Sequence, residues 1–272
     1  MSLFAKKSLG QHFLKSTHVL EQIIHASEIK PGETILEIGP GTGVLTDALL
    51  SAGAKVVAVE KDQRALEVLH NKNAENISLG KTCFRLIDAD ILEVNPNDLG
   101  LEQYKYAIVA NIPYYITGAI LEKFLENEPR PSRMVLLVQR EVAERILARP
   151  ENGEKQGKES ILSISIKAFG VPKIVAKVPP GAFVPPPTVD SAILAISDIS
   201  DRRFTNKNVD IKHFFRIVRA GFAHKRKYLV RNLESVIKSE EILAIWRKNS
   251  LDTKVRAEDL PLDMWFSIAS GQ

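Results

Sequence analysis

Between Thr34 and Ile196 the chain alternates short continuous apolar runs with stretches whose apolar residues recur three or four positions apart. Continuous runs at Thr34 to Ile38, Lys55 to Val59, Cys83 to Ile87, Tyr106 to Ala110 and Arg133 to Val138 predict buried strands, and Val189 to Ile196 reads as another. Between them, Val44 to Leu50, Gln63 to Asn73, Thr117 to Glu126 and Glu141 to Leu147 predict helices. In Thr117 to Glu126, Ile120, Leu121, Phe124 and Leu125 share one helical face, the pattern of a helix packed on a sheet. Strand–helix alternation predicts an α/β fold with a mostly parallel sheet and helices on both faces. Such sheets bind ligands at the carboxyl ends of their strands. After about Asp198 the strand pattern stops. Ile211 to Phe222, Lys225 to Ile237, Glu240 to Arg247 and Leu260 to Ala269 predict short helices. The expected organisation is therefore an α/β domain over 1–198 and a small all-α domain over 199–272.

Composition narrows this picture only a little. The 272 residues are 44% apolar, enough for a full core, and the net charge of +4 is mildly basic. A single cysteine, Cys83, excludes a disulfide or cysteine-based metal framework, and the six histidines show no metal-ligand spacing. No apolar stretch reaches membrane-spanning length and no signal peptide is visible, so the expectation is a cytoplasmic protein with no metal and no membrane partner. Nothing signals oligomerisation, and a monomer is expected.

Candidate chemistry collects at the predicted strand ends. The run Tyr106 to Ala110 stops at Asn111-Ile112-Pro113-Tyr114. Pro113 cannot donate to a sheet ladder, so the chain leaves the strand there. An amide side chain, a free backbone carbonyl and an aromatic ring are then crowded at one strand tip. An exocyclic amino group on a flat base needs two acceptors in its plane and a π-face above it, which this tetrapeptide offers; a simple Asn-Pro turn is the alternative. Glu37-Ile38-Gly39-Pro40-Gly41-Thr42-Gly43 is a glycine-rich loop after the first strand. It lacks the third glycine of the dinucleotide fingerprint, with Val44 in that place, and Glu37 suits a ligand carrying an amino group better than a pyrophosphate. Glu60 closes the second strand, placed to accept both hydroxyls of a ribose. Asp90 follows the third strand, where a carboxylate can accept from an adenine amino group. Each acid alone also reads as a solvated loop residue; together they outline a nucleoside-shaped pocket.

These motifs together resemble class I, Rossmann-like methyltransferases that use S-adenosyl-L-methionine to modify an amino nitrogen. Two further stretches narrow the resemblance to the ribosomal RNA adenine dimethyltransferases that act on the small subunit. They are Lys7-Ser8-Leu9-Gly10-Gln11-His12-Phe13-Leu14 and the proline-rich run from Val178 to Ala192 around Phe183. The resemblance implies cofactor contacts from His12, Leu14, Gly39, Gly41, Glu60, Asp90 and Asn111. His12 departs from it, since Asn is usual there. It implies that Asn111, Ile112, Pro113 and Tyr114 form the catalytic tip, with Phe183 and Tyr114 holding the target adenine between two aromatic faces. The implied substrate is a pair of adjacent adenines in the 3'-terminal hairpin loop of small-subunit (16S) rRNA, within an immature ribosomal subunit. Arg219, Lys225, Arg226, Lys227 and Arg231, in a stretch poor in acids, are expected to meet RNA phosphates. Two alternatives share these motifs. One is a large-subunit adenine methyltransferase of the macrolide-resistance type; the other is a ribosome-assembly factor whose chemistry is dispensable.

Overall fold

The computed structural model describes residues 10–72, 83–148 and 157–271. Lys7, Ser8 and Leu9 of the N-terminal motif, and Asn73 at the end of an expected helix, lie outside them. The chain divides into two compact units. The first takes the described residues up to Ala143 together with Val171–Ile199; the second takes those of Glu144–Gly170 and from Ser200 onward.

The first unit is built on a seven-stranded sheet. Its strands are β2 (Thr34–Ile38), β3 (Lys55–Glu60), β4 (Phe84–Asp88), β5 (Tyr106–Asn111), β6 (Arg133–Gln139), β7 (Val171–Val178) and β9 (Ser191–Ser197). They lie in the order β4-β3-β2-β5-β6-β9-β7. The first five run parallel, while β9 is antiparallel to both β6 and β7. Helices α1 (Thr17–Ser27), α2 (Val44–Ser51), α3 (Gln63–Lys72) and α4 (Thr117–Glu126) connect or flank the strands, and α5 (Arg140–Leu147) starts in this unit and ends in the second. The central strands are continuous apolar runs because both faces are covered: Ile35, Leu36, Ala107, Ile108 and Val109 have no exposed surface. On α4 the four apolar side chains at helical spacing are all buried, and removing them from water contributes about 6–12 kcal/mol before entropic costs. Strand order reverses at β2, with β3 on one side and β5 on the other. That is the switch point where an α/β sheet opens a crevice beyond its carboxyl ends.

Two elements of this unit carry weak local signals. The edge strand β7 alternates exposed Val171, Lys173, Val175 and Lys177 with half-buried residues. Its lysines and Pro172 are the residues that keep a free sheet edge from pairing with another chain. A separate two-stranded ladder joins β1 (Phe13–Leu14) to β8 (Phe183–Val184), with Leu14 opposite Phe183. The N-terminal motif and the proline-rich run, far apart in sequence, are thus hydrogen-bonded neighbours.

The second unit is helical, as expected, and includes a segment the sequence reading left in the first domain. Helix α6 (Ile161–Phe169), started by a Ser160–Ser163 capping box, belongs here. The reason is aromatic packing: the Phe169 ring lies 5.0 Å from Phe204 and 5.9 Å from Phe215. The remaining helices are α7 (Arg202–Lys207), α8 (Ile211–Gly221), α9 (Leu229–Leu233), α10 (Ser239–Lys248) and α11 (Leu262–Ala269). The expected helix over Lys225 to Ile237 shrinks to α9. Tyr228 is extended at φ −65° and ψ 146°, and Asn232 Nδ2 donates to the carbonyls of Gly221 (2.6 Å) and His224 (3.2 Å), fixing 221–228 as a turn.

Candidate active site

The crevice at the switch point is lined from the tips of four parallel strands. Gly39 and Gly41 come from the loop after β2, Glu60 from β3, Asp90 from the turn after β4, and Asn111 to Ile116 from the tip of β5. Gly10, Gln11, His12 and Phe13 close it from the N-terminal side. Gly39 has φ +66° and nothing within 4 Å of where a Cβ would sit, so the backbone borders open space that a ligand can approach. At Gly41, φ +56°, a Cβ would stand 2.9 Å from the Phe13 ring. Only glycine accommodates both demands at that position.

Glu60 is held by the backbone. Its Oε1 accepts the N–H groups of Lys61 and Asp62, both at 2.9 Å, and its Oε2 accepts that of Gly41 at 3.1 Å. Three of its roughly four acceptor sites are used, leaving one for a ligand hydroxyl. The expectation that it takes both ribose hydroxyls is narrowed accordingly. Asp90 Oδ1 accepts the Leu92 N–H at 2.9 Å, and Oδ2 meets the Lys61 ammonium at 3.0 Å. Burial works to raise the Asp90 pKa, but the Leu92 N–H and the Lys61 and Lys123 charges outweigh it and hold the carboxyl below its usual range.

At the tip of β5, Asn111 Nδ2 donates to the His12 carbonyl at 2.9 Å. That bond commits the amide nitrogen and leaves Oδ1 as the acceptor. His12 is itself fixed: its Nδ1 is 2.8 Å from the Pro185 carbonyl, and its ring stacks on Tyr114 at 5.8 Å with the planes 22° apart. The Tyr114 hydroxyl pairs with Ser191 Oγ at 2.6 Å. Burial raises its pKa, with the Ser191 bond opposing, so the phenol stays neutral. Ile112 is buried and Pro113 half-buried, which holds the Ile112 carbonyl at a rigid strand end.

Two expected residues are placed elsewhere. The Phe183 ring is 1% exposed, lies in the main core cluster and does not line the crevice. The β1–β8 ladder turns it inward, while Pro185 and Pro186 just beyond it are exposed. Leu14 is buried in the same cluster. In their stead the crevice is bordered by Phe13 and by Tyr115, which is 61% exposed and which sequence reasoning did not single out. Its only signal was a second tyrosine directly after the Asn-Ile-Pro-Tyr motif. Glu37 is also turned away, 1% exposed, with Oε2 accepting the Thr46 hydroxyl at 2.7 Å and Oε1 lacking a partner among the described residues. Burial pushes its pKa up to about 8.

Gln11 and Asp62 were missed as well. Gln11 Nε2 donates to Asp62 Oδ2 at 2.9 Å, tying the N-terminal segment to the end of β3. The Arg64 guanidinium, with Gln11 assisting against burial, brings the Asp62 pKa down to about 2. The basic residues Arg219, Lys225, Arg226, Lys227 and Arg231 belong to the second unit, and all five are exposed. Arg231 pairs with Glu234 at 2.9 Å, and the Arg219 guanidinium lies 5.6 Å from the Phe215 ring centre. Among the described residues no group of three or more His, Cys, Asp or Glu is arranged to hold a metal ion.

A sheet of this order, with an open glycine loop and acids at successive strand ends, defines a class I, Rossmann-like methyltransferase. The donor and acceptor set suits S-adenosyl-L-methionine, with open space at Gly39, one free acceptor site on Glu60 and an acidic Asp90 beyond it. Solved structures share the fold. A dimethyladenosine transferase from Plasmodium falciparum superposes with a TM-score of 0.76 at 24% identity, covering 94% of this chain and 96% of that one. The 23S rRNA methyltransferase ErmE gives a TM-score of 0.70 at 22% identity, covering 95% and 98%. The sequence comparisons go further. The family model described as ribosomal RNA adenine dimethylase matches residues 3–271. The ribosomal RNA small subunit methyltransferase A of Dehalococcoides mccartyi is 41% identical over 266 residues, 97% of this chain and 87% of the relative. The protein of the same name from Lactobacillus acidophilus is 39% identical over 274 residues, 97% and 90% respectively. This chain belongs to the ribosomal RNA adenine dimethylase family.

Proposed function

We propose that the protein dimethylates the N6 amino groups of two adjacent adenines in the 3'-terminal hairpin loop of small-subunit rRNA. It acts as a monomer on an immature small ribosomal subunit in the cytoplasm, with S-adenosyl-L-methionine as methyl donor. The relatives' shared name, small subunit methyltransferase, supports the choice of subunit. The observation that carries the chemistry is the Asn111 amide, whose nitrogen is tied to the His12 carbonyl.

When bound, S-adenosyl-L-methionine supplies a methyl group on a sulfonium sulfur. Gly39, Gly41, Glu60 and Asp90 would hold it at the strand tips, with His12 and Asn111 closing one side. Asn111 Oδ1 and the Ile112 carbonyl accept the two N–H bonds of the adenine amino group. The nitrogen lone pair, otherwise delocalised into the ring, is then directed out of the plane. Tyr114 supports the ring, held by Ser191. Neither acceptor is a strong base, so the residues work by position and preorganised dipoles. After one transfer the methylated nitrogen would release one proton to solvent and keep one N–H, which one acceptor still orients for the second. Target adenines in a loop need little unstacking before they enter.

The test is transfer of labelled methyl groups to undermethylated ribosomal subunits, followed by nucleoside analysis. Dimethyladenosine is expected in small-subunit rRNA alone, with Asn111→Ala losing about 100-fold or more of the rate. Label in large-subunit rRNA instead would favour the resistance-type enzyme. Absence of label on either subunit would favour an assembly role.

A further inference from the structure

The cleft contains a cation that the methyl-transfer scheme does not use. Lys61 and Asp90 both line it, and the Lys61 ammonium sits 3.0 Å from Asp90 Oδ2. The other carboxylate oxygen is already committed to the Leu92 N–H. By lone-pair count each oxygen can still accept one more donor, and at Oδ2 that donor shares the oxygen with the Lys61 ammonium. We propose that Lys61 is a specificity-determining residue of the cofactor cleft, whose ammonium competes with a purine 6-amino group for Asp90 Oδ2. This inference rests on the cofactor reading above.

The surroundings allow the exchange. The Lys61 backbone N–H is pinned to Glu60 Oε1 at 2.9 Å, so only the flexible side-chain stem has to move. The two side chains are 40% and 26% exposed, and a partly exposed ion pair is weak enough to open readily. Lys123 keeps the Asp90 turn in place when Lys61 leaves: its ammonium donates to the Leu92 carbonyl at 2.8 Å, and its charge also acts on Asp90. The Tyr115 phenol also acts on the Lys61 ammonium. The Tyr115 ring is itself backed by Gly10, where a Cβ would stand 3.4 Å from it.

The consequence concerns selectivity. Asp90 alone accepts from a 6-amino group and repels a 6-oxo group. With Lys61 beside it, a 6-oxo purine finds a donor at the same place. The chain should therefore discriminate adenine from hypoxanthine less sharply than Asp90 by itself would.

Calorimetric titration with S-adenosylhomocysteine and its deaminated 6-oxo analogue tests this on the full chain. Lys61→Met keeps the stem and removes the charge. It should bind S-adenosylhomocysteine about 3- to 5-fold tighter and the 6-oxo analogue more weakly, raising the ratio roughly tenfold, while Lys61→Arg keeps the wild-type ratio. Raising salt from about 0.05 to about 0.5 M should improve wild-type affinity relative to Lys61→Met, because the competing pair is screened. Unchanged or weaker binding by Lys61→Met, or a ratio that does not move, overturns the proposal. Absence of binding to the wild type overturns the cofactor reading with it. Wild-type binding that Asp90→Asn weakens, with no effect of Lys61→Met, overturns this inference alone.

Discussion

Glu37 offers a quantitative test of how the fold treats a buried acid. Its carboxyl is 1% exposed behind the glycine loop, and its hydrogen-bond partner among the described residues is the Thr46 hydroxyl. Burial leads in raising its pKa from 4.5 to about 8, with Thr46 opposing, Asp47 and Glu60 adding repulsion and Lys72 partly offsetting them. A raised pKa means the native state holds a proton that the unfolded chain gives up. The associated stability is fully present below the unfolded value and is lost as pH rises through the folded one. At about 1.4 kcal/mol per pH unit, the cost of keeping this group in the fold approaches about 3 kcal/mol at neutral pH. It is under about 1 kcal/mol near pH 5 and levels at about 5 kcal/mol in alkali. Glu37→Gln keeps an acceptor for Thr46 and removes the titration. Urea unfolding of both proteins at three pH values should show the variant matching the wild type in mild acid. It should become the more stable protein, by an increasing margin, at neutral and alkaline pH. A constant offset across the series would refute the assignment of a buried, protonated Glu37.

Two further outcomes follow from packing and charge. Gly221→Ala would push a Cβ to 2.8 Å from Trp265 Cζ3 and 2.9 Å from Leu229 Cδ1, so thermal melting should show a loss of about 1–3 kcal/mol; an unchanged melting temperature would contradict the close approach. Replacing Lys225, Arg226 and Lys227 with Glu should weaken binding to small-subunit rRNA and flatten its salt dependence, and unaltered affinity at low salt would remove these residues from the RNA contact.

The features legible in the sequence are those carried by local pattern. Continuous apolar runs marked β2, β3, β5 and β6 because strands covered on both faces need apolar residues at every position. Gly39, Glu60, Asp90 and Asn111 were legible as a group because each stands at or just past the end of a strand, and parallel strands bring their ends to one crevice. The edge strand β7 was not legible, since lysines and a proline blur its alternation. The helix expected over Lys225 to Ile237 failed because apolar spacing says nothing of a buried Asn232 amide capturing two carbonyls.

Tertiary structure alone decided the rest, through contacts between residues far apart in the chain. Asn111 meets His12 across 99 positions, His12 meets Pro185 across 173, and Gln11 meets Asp62 across 51. Neither periodicity nor turn chemistry reports on pairs at such separations. The same holds for orientation. A short ladder between β1 and β8 sends Phe183 into the core and leaves Tyr115 at the crevice, although composition marks both equally as aromatic. The surroundings of each acid are set the same way: the fold alone puts Glu37 behind the glycine loop and surrounds Glu60 with backbone N–H groups. The sequence by itself determined the class of sheet and which strand ends line the crevice, because these depend on neighbours a few residues away. Which atoms face the ligand, and in what charge state, depends on desolvation and long-range pairing that exist only once the chain has folded.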